Sequence, residues 1–468
     1  MHYLPEISQI IEEKRNLLIT ASDKIWEYAE TRFEEFQSSE LLCTTLEQEG
    51  FTVERGVGGI ETAFIGSFGS GKPVVAFLGE FDALSGLSQR AGSADRIPVV
   101  NGGNGHGCGH NLLGTGALAA AIALRYYMEQ HQIPGTIRYY GCPGEEGGSG
   151  KTFMAREGLF NDIDFCLTWH PGYANEVTTG TSLANYQVYY KFRGVSSHAA
   201  SSPHLGRSAL DAVELMNIGV NYLREHIIPE ARVHYAITNA GGSSPNVVQA
   251  EASVLYLIRA PRIAQVDEIY QRVCNIARGA ALMTETQVEI VFDKACSNLV
   301  PNHTLEKIAH KNFTALGIPE YNDEEKALAE SIQASLSEEE KNSVRDRAIK
   351  GKALSDRIRP LEADFVPKSM GGSTDVGDVS WITPTVQCST SCWVVGTPAH
   401  TWQVVSIGAT SIAHKAMLHA GKVMAATAVE VIENPHIIEE ARAELQEYLS
   451  DDAYVCPIPA GVKPSAAR

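Results

Sequence analysis

Three residues able to bind a soft metal stand at alternate positions within Asn104–Gly116: His106, Cys108 and His110, each separated from the next by one glycine. In an extended loop, residues two apart point to the same side, and glycine lets the backbone crowd close to an ion. Imidazole together with thiolate suits zinc or a similar divalent metal. A flexible glycine-rich loop with incidental histidines has the same spacing, so the stretch gains meaning only beside other residues of the same chemistry. Those are Asp82 at the end of an apolar run, the pair Glu145 and Glu146 in a Gly-flanked turn, His170 in Trp169-His170-Pro171, and His400 in Pro398-Ala399-His400. Taken singly, an acidic pair is as readily a solvated surface feature, and a lone histidine is more often packed in a core or loop.

The elements around these residues place most of them where strands end. Thr62–Gly66 and Pro73–Asp82 have strand composition, and the unbroken apolar core of the second suits an interior strand. Gly116–Glu129 reads as an alanine-rich helix, after which the strand Gly135–Pro143 leads into Glu145 and Glu146, and Phe165–Pro171 carries His170 in the same way. Helices alternating with apolar strands predict an α/β fold with a mixed sheet flanked by helices, whose site gathers at the carboxyl ends of the strands. Leu4–Phe33 has the spacing of one long amphipathic helix or two shorter ones, and Glu40–Glu49 of another. From Leu183 the texture changes to alternating strands, Tyr186–Phe192, His234–Thr238, Val247–Ile258 and Gln287–Phe292, around helices near Ser208–His226 and Gln265–Leu282. This order predicts an inserted α+β domain with a four-stranded antiparallel sheet and two helices on one face. The expected division is a main domain in two parts, 1–182 and 296–468, with the insertion at 183–295. Asn322–Asp364 is crowded with charge and reads as exposed helices or a long excursion. Gly371–Asp378 and Gly396–Trp402 are polar loops punctuated by glycine, and helices over Val405–Ile432 and Ile437–Leu449 precede a loose tail.

A chain of 468 residues exceeds one ordinary core, so two domains are expected. Thirty-eight Lys and Arg against 56 Asp and Glu give a formal net charge of -18. Such a surface repels nucleic-acid phosphates and anionic membranes, which excludes both as expected partners. No apolar run reaches the about 18 residues that span a bilayer, and the start lacks a basic, apolar leader. Nine scattered cysteines read as reduced buried thiols, and the expected location is cytoplasmic.

The loop at 106–110, the pair Glu145-Glu146, Trp169-His170-Pro171 and Ala399-His400-Thr401 follow one another in a shared order. In this the chain resembles the dinuclear metal amidohydrolases and peptidases related to aminoacylase, carboxypeptidase G and the plant auxin-conjugate hydrolases. The resemblance runs over nearly the whole length. It is nearest to the aminobenzoyl-glutamate hydrolase branch, through Gly-His-Gly-Cys-Gly-His-Asn at 105–111, the charged excursion and Gly-Ser-Thr-Asp-Val-Gly-Asp at 372–378. It implies a zinc-peptidase-like catalytic domain whose insertion serves as lid and dimerisation domain. Two divalent ions, Zn2+ or Mn2+, would be held by Cys108, His110, Glu146, His170 and His400, with the Cys108 thiolate as bridge and with Asp82 and His106 supporting the ligands from behind. Glu145 would be the general base. His198, in Gly194–Ala200, would reach across a dimer to stabilise the developing oxyanion, and Asn246 and Arg259 would bind the substrate's carbonyl and carboxylate. One departure is Asn111, where most relatives carry Asp, which removes a negative charge beside the metals.

The implied function is metal-dependent hydrolysis of an amide joining an acyl or aminobenzoyl group to an amino acid such as glutamate. A dipeptidase or general N-acyl-amino-acid hydrolase is its sibling reading. A catalytically silent metal-binding partner chain is the reading from another class, and the intact Glu145 argues against it. The implied partners are a small-molecule amide substrate and a second subunit, either an identical copy or a homologous chain.

Overall fold

The structure, a computed structural model, describes residues 1–361, 369, 371–450 and 452–466. Its strands are β1 (Thr52–Arg55), β2 (Phe64–Ser70), β3 (Val74–Glu80), β4 (Gly135–Cys142), β5 (Phe165–Gly172), β6 (Glu176–Val177), β7 (Ala184–Arg193), β8 (Arg232–Asn239), β9 (Glu251–Ala260), β10 (Gln287–Cys296) and β11 (Thr385–Ser391). Seven make one mixed sheet in the order β1-β2-β4-β3-β5-β11-β6, and four make a separate sheet in the order β10-β7-β9-β8. In the large sheet β4, β3, β5 and β11 run parallel, with β2 and β6 antiparallel at their flanks. Every residue of β3 is buried, as its apolar run requires of a strand covered on both faces. The four parallel strands therefore release the chain on one edge: after Glu80, after Cys142, at Gly172 and after Ser391.

That edge is held rigid by two long helices packed face to face, His110–His131 and Ser411–Glu433. Both are rich in alanine and glycine, which lets them approach closely: a Cβ on Gly421 would lie 2.8 Å from the Ala119 Cβ. Trp169, fully buried, donates its indole N–H to the Leu113 carbonyl at 2.9 Å and so ties β5 to the first of these helices one residue before His170. The smaller sheet is antiparallel throughout, and its helices Ala209–Leu223 and Ile263–Thr284 pack on one face through Val213, Met216, Val220, Val266, Ile269 and Val273.

Of the two arrangements expected at the start, the structure has the two shorter helices, Leu4–Glu13 and Arg15–Tyr28. Several other expectations are corrected. The helix after the glycine-rich loop begins at His110 and not at Gly116, because the left-handed Gly109 turns the chain straight into it. Val247–Ala250 lie outside β9, which starts at Glu251. The helix expected over Val405–Ile432 is broken between Ile407 and Ser411. β11 gives no strand signal in the sequence because its interior position is filled by Thr, Ser and Cys, which carry little hydropathy. The charged excursion is not wholly exposed: its helices Asp323–Ala334 and Glu338–Asn342 are followed by Val344 and Ile349, which pack on Val395 and so brace the loop leading to His400. Residues 362–364 of that excursion lie outside the described residues. The tail is docked: Arg156 donates to the carbonyls of Pro459 and Val462, Tyr454 donates to Asp378, and Ile458 is buried. No helix among the described residues is long and apolar enough to cross a membrane.

Gly116 tests the packing that positions the edge. A Cβ there would stand 2.7 Å from the Trp169 indole, so Gly116→Val should overpack this contact and lower stability by on the order of 1–3 kcal/mol in urea unfolding. An unchanged midpoint would show that the helix and β5 are not held by this contact.

Candidate metal centre

Each strand end delivers a ligand-type side chain to the same place. Asp82, two residues past β3, is fully buried and uses both carboxylate oxygens: Oδ1 takes the His110 Nδ1 proton at 2.9 Å, and Oδ2 accepts the Glu146 backbone N–H at 2.7 Å. This leaves the His110 Nε2 atom, buried and without a hydrogen-bond partner, turned to the interior of the site. His170, near the end of β5, engages the Pro171 carbonyl through Nδ1 at 2.8 Å, so its Nε2 faces Cys108 Sγ at 3.5 Å. His400 is held in a left-handed backbone conformation by donating its N–H to the Gly107 carbonyl at 2.8 Å, and its Nε2 stands 2.9 Å from Glu146 Oε1.

The donor atoms of Cys108, His110 and His170 all lie within 4.8 Å of one another, as do those of Cys108, Glu146 and His400. Cys108 is common to both groups. A sulfur shared by an N,N set and an N,O set is the donor chemistry of two borderline divalent ions with open positions for water and substrate. The His110 Nε2 fits the same reading, since a fully buried ring nitrogen that makes no hydrogen bond, with only the Glu80 carboxylate 3.3 Å away, is costly unless something binds it. Burial pushes the Cys108 thiol up, with the Glu146 charge adding to it, so an ion is what would deprotonate this sulfur.

The adjacent carboxylates are driven apart. Burial opposes the charge of Glu146, but the His400 hydrogen bond and the nearby His110 hold it down at about 2. Glu145 is raised well above the ordinary carboxylate range, first by burial and then by the charges of Glu80, Glu146 and Asp375. One is kept anionic and the other retains a proton readily, which is the pattern of two acids with different tasks.

His106 does not join either donor group. It is fully buried, its Nε2 meets the Ile25 carbonyl at 2.9 Å, and burial lowers it to about 3, so it is a neutral ring bracing the loop against the helix Arg15–Tyr28. The extended alternation expected of the loop fails at Gly109, whose φ of +76° bends the chain where a Cβ would meet the Pro171 ring at 3.1 Å. His198 lies exposed on the smaller domain, its Nδ1 accepting from the N–H groups of Ala200 and Ser201, both at 3.2 Å. Asn246 is its neighbour, its backbone carbonyl accepting from the Ala199 N–H at 2.9 Å. Arg259 bridges the two domains by donating to Ser373 Oγ at 3.0 Å, with its Nε buried and unpaired. Asn111 donates to Ser22 and to the Gly408 carbonyl, both at 3.1 Å, away from the donor groups.

Sequence reasoning missed Glu80, Lys151 and Asp375, which form a buried charged chain beside His110. Glu80 had a legible signal, since it precedes Asp82 by two on an extended segment and so shares its face. Lys151 had none beyond being a lone lysine entering an apolar helix.

A model of the family described as peptidase family M20/M25/M40 matches residues 76–459. The chain is 56% identical over 475 residues to one of the subunits of the p-aminobenzoyl-glutamate hydrolase of Escherichia coli (strain K12), covering 99% of this chain and 98% of that protein. It is 28% identical over 457 residues to the Xaa-Arg dipeptidase of Mus musculus, covering 94% and 92%. Among solved structures, a dinuclear metal binding peptidase from the M20 family of Bacillus subtilis has the same fold, with a TM-score of 0.55 at 17% identity over 90% of this chain and 99% of that one.

Because both donor groups share Cys108, metal analysis by mass spectrometry should find about two ions per native chain and about one or fewer after Cys108→Ala. His106→Gln should leave the ion content unchanged. Equal content in native protein and Cys108→Ala would remove the sulfur from the site.

Proposed function

The chain belongs to the peptidase family M20/M25/M40 and is a metal-dependent hydrolase of amide bonds, and from that premise we propose that it cleaves p-aminobenzoyl-glutamate to p-aminobenzoate and glutamate. The observation that carries the chemistry is Cys108 shared between two donor groups with Glu145 beside them. The near full-length identity to the Escherichia coli hydrolase chain supports the substrate.

Cys108, His110 and His170 would hold one ion, and Cys108, Glu146 and His400 the other. Zinc or manganese bound there supplies Lewis acidity toward water and the amide carbonyl. Glu145 takes a proton from the attacking water as its oxygen bonds to the amide carbon, then delivers that proton to the amide nitrogen as the C–N bond breaks. Asp82 fixes the His110 ring and the Glu146 backbone throughout. Arg259, with an unpaired buried Nε, suits the glutamate carboxylate. His198 and Asn246, adjacent on the exposed face of the 183–295 domain, serve a neighbouring subunit's substrate, His198 at the carbonyl oxygen. That neighbour is an identical copy or a homologous chain, in keeping with the Escherichia coli relative being named as one subunit of its hydrolase. All nine cysteines are free thiols, which supports a reducing, cytoplasmic setting.

A dipeptidase is the second reading, favoured by the similarity to the Xaa-Arg dipeptidase. Purified chain, alone and with a homologous partner chain, should hydrolyse p-aminobenzoyl-glutamate faster than Xaa-Arg dipeptides or N-acyl amino acids. Faster dipeptide turnover would replace the substrate. Glu145→Gln should retain its ions yet lose activity by on the order of a hundred- to ten-thousand-fold, whereas Glu146→Ala should lose metal as well. Robust turnover by Glu145→Gln, or equal metal retention in both, would reverse the two roles.

A further inference from the structure

Beneath the two donor groups lies a lysine with no access to water. Lys151 is fully buried, its ammonium 2.6 Å from Glu80 Oε1 and 2.6 Å from Asp375 Oδ1, and its backbone N–H donates to Asp375 Oδ2 at 2.9 Å. Burial disfavours the ammonium, but Asp375 and Glu80 keep it charged. The other Glu80 oxygen, Oε2, has no hydrogen-bond partner and stands 3.3 Å from His110 Nε2. Glu80, His110 and Glu145 thus make a third set of donor atoms within 4.8 Å of one another, overlapping the first at His110.

A ligand-type carboxylate therefore sits among the donors with one of its oxygens already committed to a cation that belongs to the protein. A carboxylate that joined the ions would fill a position that water or substrate needs, and catalytic sites depend on such positions staying open. The ammonium removes the electrostatic reason for it to do so, because Glu80 is compensated from below at hydrogen-bond distance. The Asp375 carboxylate accepts from the Lys151 ammonium through one oxygen and from the Lys151 backbone N–H through the other, which holds Lys151 away from the donors.

We propose that Lys151 is a positioning residue of the hydrolytic site: anchored by Asp375, it holds Glu80 beside His110 and keeps that carboxylate out of the metal-ligand set. The inference deepens the dinuclear reading and rests on it. It also gives the Gly371–Asp378 cluster a task, since its Asp375 is the anchor.

Two charge-neutral double substitutions separate this role from simple support of the fold. Lys151→Met with Asp375→Asn removes the cation and its anchor but leaves Glu80 free, whereas Lys151→Met with Glu80→Gln removes the cation together with the carboxylate it restrains. Each is loaded with cobalt(II), whose visible absorption weakens as ligands are added beyond four, and is followed in parallel by circular dichroism and steady-state kinetics. With Glu80 freed, the cobalt absorption should fall several-fold and kcat should drop by on the order of ten- to a hundredfold, with KM within about twofold. The variant carrying Glu80→Gln should keep the native cobalt spectrum. Equal behaviour of the two variants, whether both native-like or both losing fold and metal together, would make Lys151 a structural residue and overturn the proposal. Native protein that takes up no cobalt would refute the dinuclear reading itself, and the inference with it.

Discussion

Both oxygens of the Asp82 carboxylate are spent inside the site, one on a side chain of the first donor group and one on the backbone of the second. By accepting from His110 Nδ1 and from the Glu146 N–H, a single buried group at the end of β3 sets where the helix His110–His131 starts relative to the turn after β4. Glu35 grips the same turn from its other side, accepting the Gly144 N–H at 2.9 Å, and its own burial, with the Asp82 charge adding to it, raises it to about 8. Neither donor group could keep its geometry if that turn moved. Such oriented carboxylates behind a histidine fix both its tautomer and its ring plane.

Negative charge is the consequence of building a site this way. Glu35, Glu80, Asp82, Glu145, Glu146 and Asp375 crowd one edge of the sheet, and Lys151 is buried among them. Crowding sorts the acids by neighbour rather than by type. Glu146 faces His400 and stays anionic, while Glu145, one residue away, faces Glu80 and Asp375 and holds its proton more tightly. The opposite protonation tendencies of the two carboxylates, on which the proposed roles of ligand and proton carrier rest, thus follow from burial and from which side of one tight turn each occupies.

Much of this was legible in the chain itself, because the unbroken apolar run of β3, the strand composition of β4 and the glycine-flanked turn after it are strong local signals. Cys108, His110, Glu146, His170 and His400 come together at the strand ends, whereas His106, His198 and Asn246 do not. What failed was local: His106 shares the alternation with Cys108 and His110, yet its ring turns to the Ile25 carbonyl while Cys108 and His110, on either side of the left-handed Gly109, converge. β11 was hidden by its Ser and Thr content, and Lys151 by the lack of any short-range signal for a contact made 224 residues away at Asp375. Long-range polar pairing is a property of the folded edge and has no period in the sequence.

Among the described residues, Arg259 and Arg32 wire the smaller domain into the same edge. Arg259, on β9, donates to Ser373 two residues before the Lys151 anchor, and Arg32 joins the Gly147 carbonyl, just past Glu146, to Asp293 on β10. Asp293 also accepts from Gln187 of β7 at 2.7 Å, so the neighbouring strands β7 and β10 share this attachment. A shift of that domain would pull on the turn bearing Glu145 and Glu146 and on the loop bearing Asp375 together. The position of the small domain and the placement of Glu145 and Glu146 are therefore not independent. Because a misplacement of about 1 Å can cost a hundredfold in rate, the proposed hydrolysis would depend on this linked position as well as on the donor groups themselves.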